Sequence, residues 1–261
     1  MRGKISVFLV VGLVISLCAL TTLAQAQEQK AQLYAIWDVV VKPSKVVDFE
    51  AAAKEEVALY AKYKFPYAWS VSRTFDNHYY YLFPVENFAA IDNIFKAFDK
   101  VAKMAGEEYQ EMLDLFAGTY EYVQPSVYSL NYELSLFSEK QKEKAGEENF
   151  FFIDIFYFKT GKEKEVEKLM KEMIALIEEK GATEAQSWYC YQGIMGAETP
   201  VHYMVASAKN PIDFYTQNAK MWELLGEEGG ELYRRMMRIM RKRETKTGWL
   251  RPDLSYIPKE K

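Results

Sequence analysis

The hydrophobic pattern of the chain occurs twice. Residues 34–64 and 149–181 each begin with an apolar run, pass through a short lysine-bounded turn and continue with apolar residues at helical spacing. An apolar run with almost no polar interruption is typical of a strand covered on both faces, and the helical spacing is typical of a helix with one buried side. Each stretch therefore predicts a strand followed by a helix.

Further strands and a second helical region follow in each copy. The first copy continues with strands at 67–74 and 78–83, a helical region at 87–118 broken near Gly106, and a last strand within 119–134. The second continues with strands at 185–192 and 202–208, a helix from Asn210 to about Lys246, and a closing strand at 249–257. The predicted order is βαββαβ in both copies. We assign a first repeat to residues 33–134, a charged linker to 135–149 and a second repeat to 150–258.

Matching residues support the duplication. Lys42 aligns with Lys159, His78 with His202, and Pro125 with Pro252 when the copies are laid side by side. A repeat of about a hundred residues is too long for a solenoid, so each copy is predicted to be a small α+β unit. Helices would cover one side of each sheet, and the aromatic opposite side needs a partner, for which the duplicate is nearest.

The first 26 residues predict a secretory signal peptide. Arg2 and Lys4 precede a charge-free apolar run at 5–20, and residues 24–26 form a small-x-small cleavage site. Cleavage before Gln27 would give a protein that is secreted or periplasmic. An uncleaved membrane anchor is the alternative, because the apolar run is nearly long enough to span a bilayer.

Composition narrows the range of partners. The signal segment holds two basic residues and no acidic ones, so the net charge of −4 becomes −6 after cleavage. An acidic protein is a poor candidate for binding nucleic acid, and no membrane partner is predicted once the signal is removed. Only Cys190 remains as a thiol, so stability must come from packing, for which the 15% aromatic content provides material.

The duplicated βαββαβ pattern resembles the dimeric α/β barrel superfamily, which includes antibiotic-biosynthesis-monooxygenase-like and related barrels. The resemblance implies an α+β fold in which two ferredoxin-like repeats pack as a pseudo-dimeric α/β barrel. Two chains pair in single-unit members, whereas one chain would suffice here, with higher oligomers left open. The family includes cofactor-independent monooxygenases, haem-handling enzymes, isomerases and binding proteins. No motif of this chain selects one of them.

The two histidines and two strand aspartates are the candidate catalytic groups. His78 and His202 each begin a third strand and are each followed by tyrosine, so they could act as a ligand pair or as acid–base groups. Asp38 and Asp154 interrupt apolar strands and become equivalent if one turn residue is gapped. Either could be a general base facing a cavity, oriented toward the histidine of its own repeat. The structural alternative is an imidazole or carboxylate bonded at a strand end.

A pocket for a flat, largely apolar ligand is predicted from strand aromatic residues. Trp69, Tyr80, Trp188 and Met204 are its candidate lining, although most strand aromatics must be core because both faces are covered. No metal site and no cofactor are predicted, and haem is the one group that the resemblance leaves open. The last helix is predicted to carry a basic cluster that ends at Arg243.

These observations predict an exported small-molecule-binding protein with an aromatic-lined pocket. The alternative is a monooxygenase-like enzyme, cofactor-independent or haem-dependent. A structural or partner-binding role is the third hypothesis, favoured if side chains fill the cavity.

Overall fold

The computed structural model describes residues 32–137, 148–183 and 185–259. The predicted signal peptide at 1–26 and most of the predicted linker lie outside these residues. Within the described part of the chain, no helix is both long enough and apolar enough to cross a membrane.

The first unit runs from residue 32 to residue 136. Its elements are β1 (Gln32–Val41), a 3-10 turn (Pro43–Lys45), α1 (Val46–Lys62), β2 (Ser70–Thr74), β3 (His78–Val85), α2 (Phe88–Ala105), α3 (Glu107–Phe116) and β4 (Tyr120–Leu136). Gly106 separates α2 from α3 with a φ of 56°, a conformation that glycine adopts without strain. The break predicted in this helical region is therefore confirmed.

The second unit repeats this order from residue 150. Its elements are β5 (Phe150–Phe158), α4 (Glu163–Glu179), β6 (Trp188–Met195), β7 (Val201–Ala208), α5 (Pro211–Ile239) and β8 (Met240–Leu250). The side chain of Asn210 caps α5 by accepting a hydrogen bond from the backbone nitrogen of Asp213 at 3.0 Å. A kink at Gly226, with a φ of 55°, divides α5 into two segments.

The eight strands close into one antiparallel barrel. The strand order is β1-β3-β2-β8-β5-β7-β6-β4, so each unit has the ferredoxin-like order and the units join through β2–β8 and β4–β6. Because all neighbouring strands are antiparallel, β1 and β5 run in the same direction and finish at the same end of the barrel. We call that end the upper mouth; Asp38, Asp76, His78, Glu244 and Lys246 lie around it. The predicted pseudo-dimeric barrel is confirmed.

Successive residues of each strand face the barrel interior and the helices in turn. Ile36 belongs to the interior cluster with Tyr80 and Tyr128, whereas Ala35 and Val39 pack under the helices of the first unit. A second helix-side core lies between the strands of the second unit and helices α4 and α5. The barrel wall therefore separates an interior from two helix-covered layers.

The end of the second unit differs from the prediction. The basic residues at 241–243 lie in β8, paired with β5, and not in a helix that reaches Lys246. Residues 251–257 form no strand of the second unit. They cross to the first unit instead, where Leu254 and Tyr256 are buried and Trp69 donates its indole N–H to the Leu254 carbonyl at 3.0 Å. We call residues 251–257 the C-terminal strap.

Candidate functional site

The two histidines do not occupy equivalent positions. Both first strands carry a β-bulge at the same place, after Val40 in β1 and after Tyr157 in β5, which aligns the two units. Val40 pairs with His78, whereas Tyr157 pairs with Val201. The predicted correspondence of His78 with His202 is therefore wrong by one residue. In a strand that shift moves a side chain to the other face, so His78 faces the barrel interior and His202 faces the helices.

The two aspartates are separated in the same way. The aligned bulges match Asp38 with Ile155 and Asp154 with Trp37. Asp38 therefore faces the barrel interior, and Asp154 faces the helix side. Their predicted equivalence through a gap in the turn is wrong, because the turns have equal length up to Lys42 and Lys159.

Asp38 and His78 meet at the upper mouth. Nδ1 of His78 lies 2.9 Å from both carboxylate oxygens of Asp38, and their side chains are 18% and 19% exposed. A carboxylate can only accept, so Nδ1 donates and the neutral ring keeps its lone pair on Nε2. For this pair, the structure places the strand aspartate against the histidine of its own repeat. Its catalytic role stays a prediction.

A second carboxylate and a lysine extend this site. Oδ2 of Asp76 lies 3.7 Å from Nε2 of His78 and 2.6 Å from Nζ of Lys246. Thr74 donates its hydroxyl to Asp76 and accepts the backbone N–H of His78 at 3.0 Å. Burial opposes the effect, but the hydrogen bonds from Lys246 and Thr74 hold the pKa of Asp76 below its usual value. The upper mouth thus contains an acid–histidine–acid–lysine row.

Tyrosines form the layer below this row. Tyr80 stacks near His78 with ring centroids 6.1 Å apart, and Tyr128 and Tyr203 pack at 4.9 Å. Burial raises the pKa of all three tyrosines, and the charge of Asp38 raises it further. Their hydroxyls therefore stay protonated at neutral pH, and those of Tyr128 and Tyr203 are hydrogen-bonded to each other within the layer.

His202 is enclosed on the helix side of β7. Its Nε2 accepts from the side-chain amide of Gln192 at 3.0 Å, and Gln192 in turn accepts from Asn131 at 3.2 Å. Nδ1 then carries the proton and donates to the sulfur of Met170 at 3.3 Å. Burial lowers the pKa of His202 to about 4, so the ring is neutral at neutral pH. This geometry is that of a satisfied core histidine.

Asp154 is paired with an arginine and not with His202. The guanidinium of Arg243 donates two hydrogen bonds of 2.7 Å to the carboxylate, and a third of 2.7 Å to the hydroxyl of Tyr233. Burial raises the pKa of Asp154, and the Arg243 guanidinium opposes that rise. The pair links β5 to β8 and α5.

The four predicted pocket residues do not line one cavity. Tyr80 lies in the barrel interior, Trp69 packs beneath the helices of the first unit, and Met204 packs beneath those of the second. Trp188 donates its indole N–H to the Leu134 carbonyl at 3.0 Å and packs on separate helix-side clusters. Trp69 thus packs in the helix-covered layer of the first unit, and Trp188 and Met204 pack in that of the second.

Sequence reasoning missed Asp76, Lys246 and Glu56. Asp76 lies in the predicted hairpin turn, where Asp is expected for turn geometry alone. Lys246 was assigned to a helix, which hid its inward position on β8. Glu56 is a half-buried carboxyl on α1, and burial raises its pKa to about 7. No local signal separates it from its exposed neighbour Glu55.

His202 does not suit a haem iron, because both of its ring nitrogens are engaged. At His78 the Asp76 carboxylate lies 3.7 Å from Nε2, the nitrogen that an iron would need. Among the described residues, no three His, Cys, Asp or Glu side chains cluster in a way that could hold a metal ion. We therefore propose no haem or metal chemistry at His202.

Solved structures with the same fold cover most of the chain. A candidate monooxygenase from Lactobacillus acidophilus shares 9% identity at a TM-score of 0.51, over 87% of this chain and 97% of that chain. An anthrone oxidase-like protein shares 11% identity at a TM-score of 0.56, over 86% and 92%. A candidate monooxygenase from Fusobacterium nucleatum shares 10% identity at a TM-score of 0.51, over 85% and 93%.

No family model matches the chain, and no curated protein is significantly similar to it in sequence. At such low identity the structural likeness shows the fold alone. Three observations indicate the same fold: the closed barrel, the ferredoxin-like strand order of each unit, and the alignment of these solved structures over both units. The chain has the fold of the dimeric α/β barrel superfamily, with both ferredoxin-like units carried by one polypeptide.

Proposed function

We propose that the protein binds a small aromatic molecule at the upper mouth, and that His78 accepts a proton from it. The observation that carries this proposal is the pair of 2.9 Å contacts between Asp38 and Nδ1 of His78. They fix the ring so that Nε2, the basic nitrogen, faces the mouth. Tyr80 and Tyr128, both buried, and the partly buried Tyr203 form an aromatic layer beneath it.

Export remains part of the proposal. The basic start, apolar run and cleavage site at residues 1–26 support secretion or a periplasmic location. The cysteine content does not distinguish an oxidising from a reducing compartment, because a single mature cysteine can form no intrachain disulfide.

Oxygenation is a second candidate for this site. Structures of the same fold include an anthrone oxidase-like protein and two candidate monooxygenases. Removal of a proton from an electron-rich aromatic substrate gives an anion that can reduce dioxygen, the co-substrate. The Asp38–His78 pair supplies the base that such a reaction needs.

The test is a thermal-shift screen of phenols, quinones and anthrones against three proteins. A ligand at one hundred times its Kd stabilises the folded state by about 2.7 kcal/mol, which a melting curve detects. We expect stabilisation in the wild type and in His202→Gln, and its loss in His78→Gln. His202→Gln is the matched control, since it removes the chain's other imidazole on the far side of the barrel wall.

Two outcomes would refute the proposal. One is equal binding by the wild type and folded His78→Gln, and the other is no response to any aromatic ligand. For the oxygenation candidate, oxygen uptake with a bound ligand should fall in both His78→Gln and Asp38→Asn. Uptake that survives in both variants would eliminate that candidate.

A further inference from the structure

The carboxylate of Asp76 fills the space between the lysine and the histidine of the upper mouth. Its Oδ2 is 2.6 Å from Nζ of Lys246 and 3.7 Å from Nε2 of His78. A separation of 3.7 Å is too long for a hydrogen bond. This oxygen therefore occupies the position that an anionic ligand oxygen would take on Lys246. A neighbouring atom of such a ligand would then lie beside Nε2 of His78.

The exposure of the three groups differs in a way that favours exchange. The Asp76 side chain is 56% exposed, whereas those of Lys246 and His78 are 15% and 18% exposed. Asp76 lies in the tight turn between β2 and β3, and its carboxylate can rotate into solvent. The Lys246 side chain is largely buried, so its ammonium gains little contact with water when Asp76 leaves. A poorly hydrated ammonium left without a carboxylate favours the entry of another anion.

Among the described residues, Lys246 is the cation next to His78, and the other charged groups around the ring are carboxylates. Asp38 holds the opposite nitrogen of the ring, and Glu244 lies close enough for the charge of Lys246 to help lower its pKa against the effect of burial. Thr74 fixes the backbone of His78 and donates to Asp76. Departure of the Asp76 carboxylate therefore leaves a cation, a base and a free hydroxyl donor around one position.

We propose that a small organic anion, of the carboxylate or phenolate class, binds the upper mouth by displacing Asp76. One anionic oxygen takes the Asp76 position on Lys246, and the aromatic body of the ligand lies against the tyrosine layer. Asp76 then competes with the ligand for Lys246, and a ligand must bind more strongly than Asp76 to displace it. Only ligands with both an anionic group and an apolar body meet this requirement. This inference rests on the proposed function, because both use His78 and the same mouth.

The test is a titration with benzoate at constant ionic strength, followed by calorimetry and by the NMR signals of the His78 ring. Asp76→Asn removes the competing charge and should bind benzoate about tenfold more tightly than the wild type. Lys246→Met should lose measurable binding. Glu244→Gln is the matched control: like Asp76→Asn it removes one negative charge near the mouth, but from a carboxylate that contacts Lys242 and Tyr157, and it should change the affinity less than threefold.

Three results would overturn the inference. They are an unchanged affinity in Asp76→Asn, an equal gain in Glu244→Gln, or undiminished binding in Lys246→Met. If Asp76→Asn does not fold, Asp76→Ser also removes the competing charge and should give the same gain. If neutral phenols shift the His78 signals and benzoate does not, this inference is refuted and the proposed function stands. If neither ligand shifts the His78 signals, the proposed function is refuted as well.

Discussion

Replacement of Glu56 by glutamine should stabilise the protein at neutral and alkaline pH. Glu56 lies half-buried on α1, close enough to Tyr60 and Tyr81 for its charge, after burial, to raise the pKa of both hydroxyls. Burial is the one cause that acts on the carboxyl itself, and it raises the pKa from 4.5 to about 7. The folded protein therefore keeps a proton that the unfolded chain releases.

The size of the effect follows from that interval. Below pH 4.5 both states are protonated, and the group adds no pH dependence. Between pH 4.5 and about 7 only the unfolded chain ionises, and stability falls as pH rises. Each pKa unit is worth about 1.36 kcal/mol, so the full interval gives an upper limit of about 3 kcal/mol. Since solvent reaches part of the residue, we expect about 1 to 3 kcal/mol above neutral pH.

The assay is urea unfolding of the wild type and Glu56→Gln at several pH values from about 4.5 to 8. The difference between the two free energies of unfolding should grow with pH and level off above neutral, because other titrating groups cancel in the difference. Glu55→Gln, at the exposed neighbouring position, should run parallel to the wild type. Parallel curves for Glu56→Gln would refute the reasoning, as would a carboxyl ¹³C titration of Glu56 with a midpoint near 4.5.

Two further predictions concern packing. Leu254→Ala, in the C-terminal strap, should lower the free energy of unfolding by about 2 to 5 kcal/mol. The control, Ile257→Ala at an exposed strap position, should change it by less than about 0.5 kcal/mol. Equal effects of the two substitutions in urea unfolding would contradict a buried strap. Asp154→Asn and Arg243→Met should each destabilise, with a coupling of about 1 to 3 kcal/mol in the double-mutant cycle; additive losses would show that the pair contributes no interaction energy.

The duplicated barrel could be predicted because its signals are local and occur twice. Apolar strand runs, one-sided helices and the cap at Asn210 each specify their own element, and the repetition of their order excludes most other folds. The pairing of Asp38 with His78 was also accessible, since a strand carboxylate needs a partner and the histidine begins the neighbouring strand of its own repeat.

The register between the copies could not be read from the sequence. β5 is apolar on both faces, so its alternation does not reveal which residues face inward. The identity of the histidines then suggested the alignment of His78 with His202, and a one-residue error inverts the face of every side chain. The bulges after Val40 and Tyr157 agree with the match of Lys42 and Lys159. The pairings of Val40 with His78 and of Tyr157 with Val201 then set the register of the third strands, for which the sequence has no local signal.

β8 was mistaken for helix because its pairing is non-local. Its basic and acidic residues favour helix intrinsically, and the strand exists because β5 on one side and β2 on the other supply its hydrogen bonds. This single error also hid Lys246 from the candidate site and placed the C-terminal strap in the wrong unit. Tertiary pairing outweighed local propensity here.

The fusion of two units accounts for the one-sided chemistry of the upper mouth. In a barrel of two identical chains, an Asp–His pair on one half would face its own copy across the twofold axis. Here Ile155 and Val201 occupy the positions that correspond to Asp38 and His78, and they pack in the interior cluster. At these two positions the first unit is therefore acid–base and the second apolar, and Glu244 and Lys246 on β8 are charged groups that the second unit adds to the mouth.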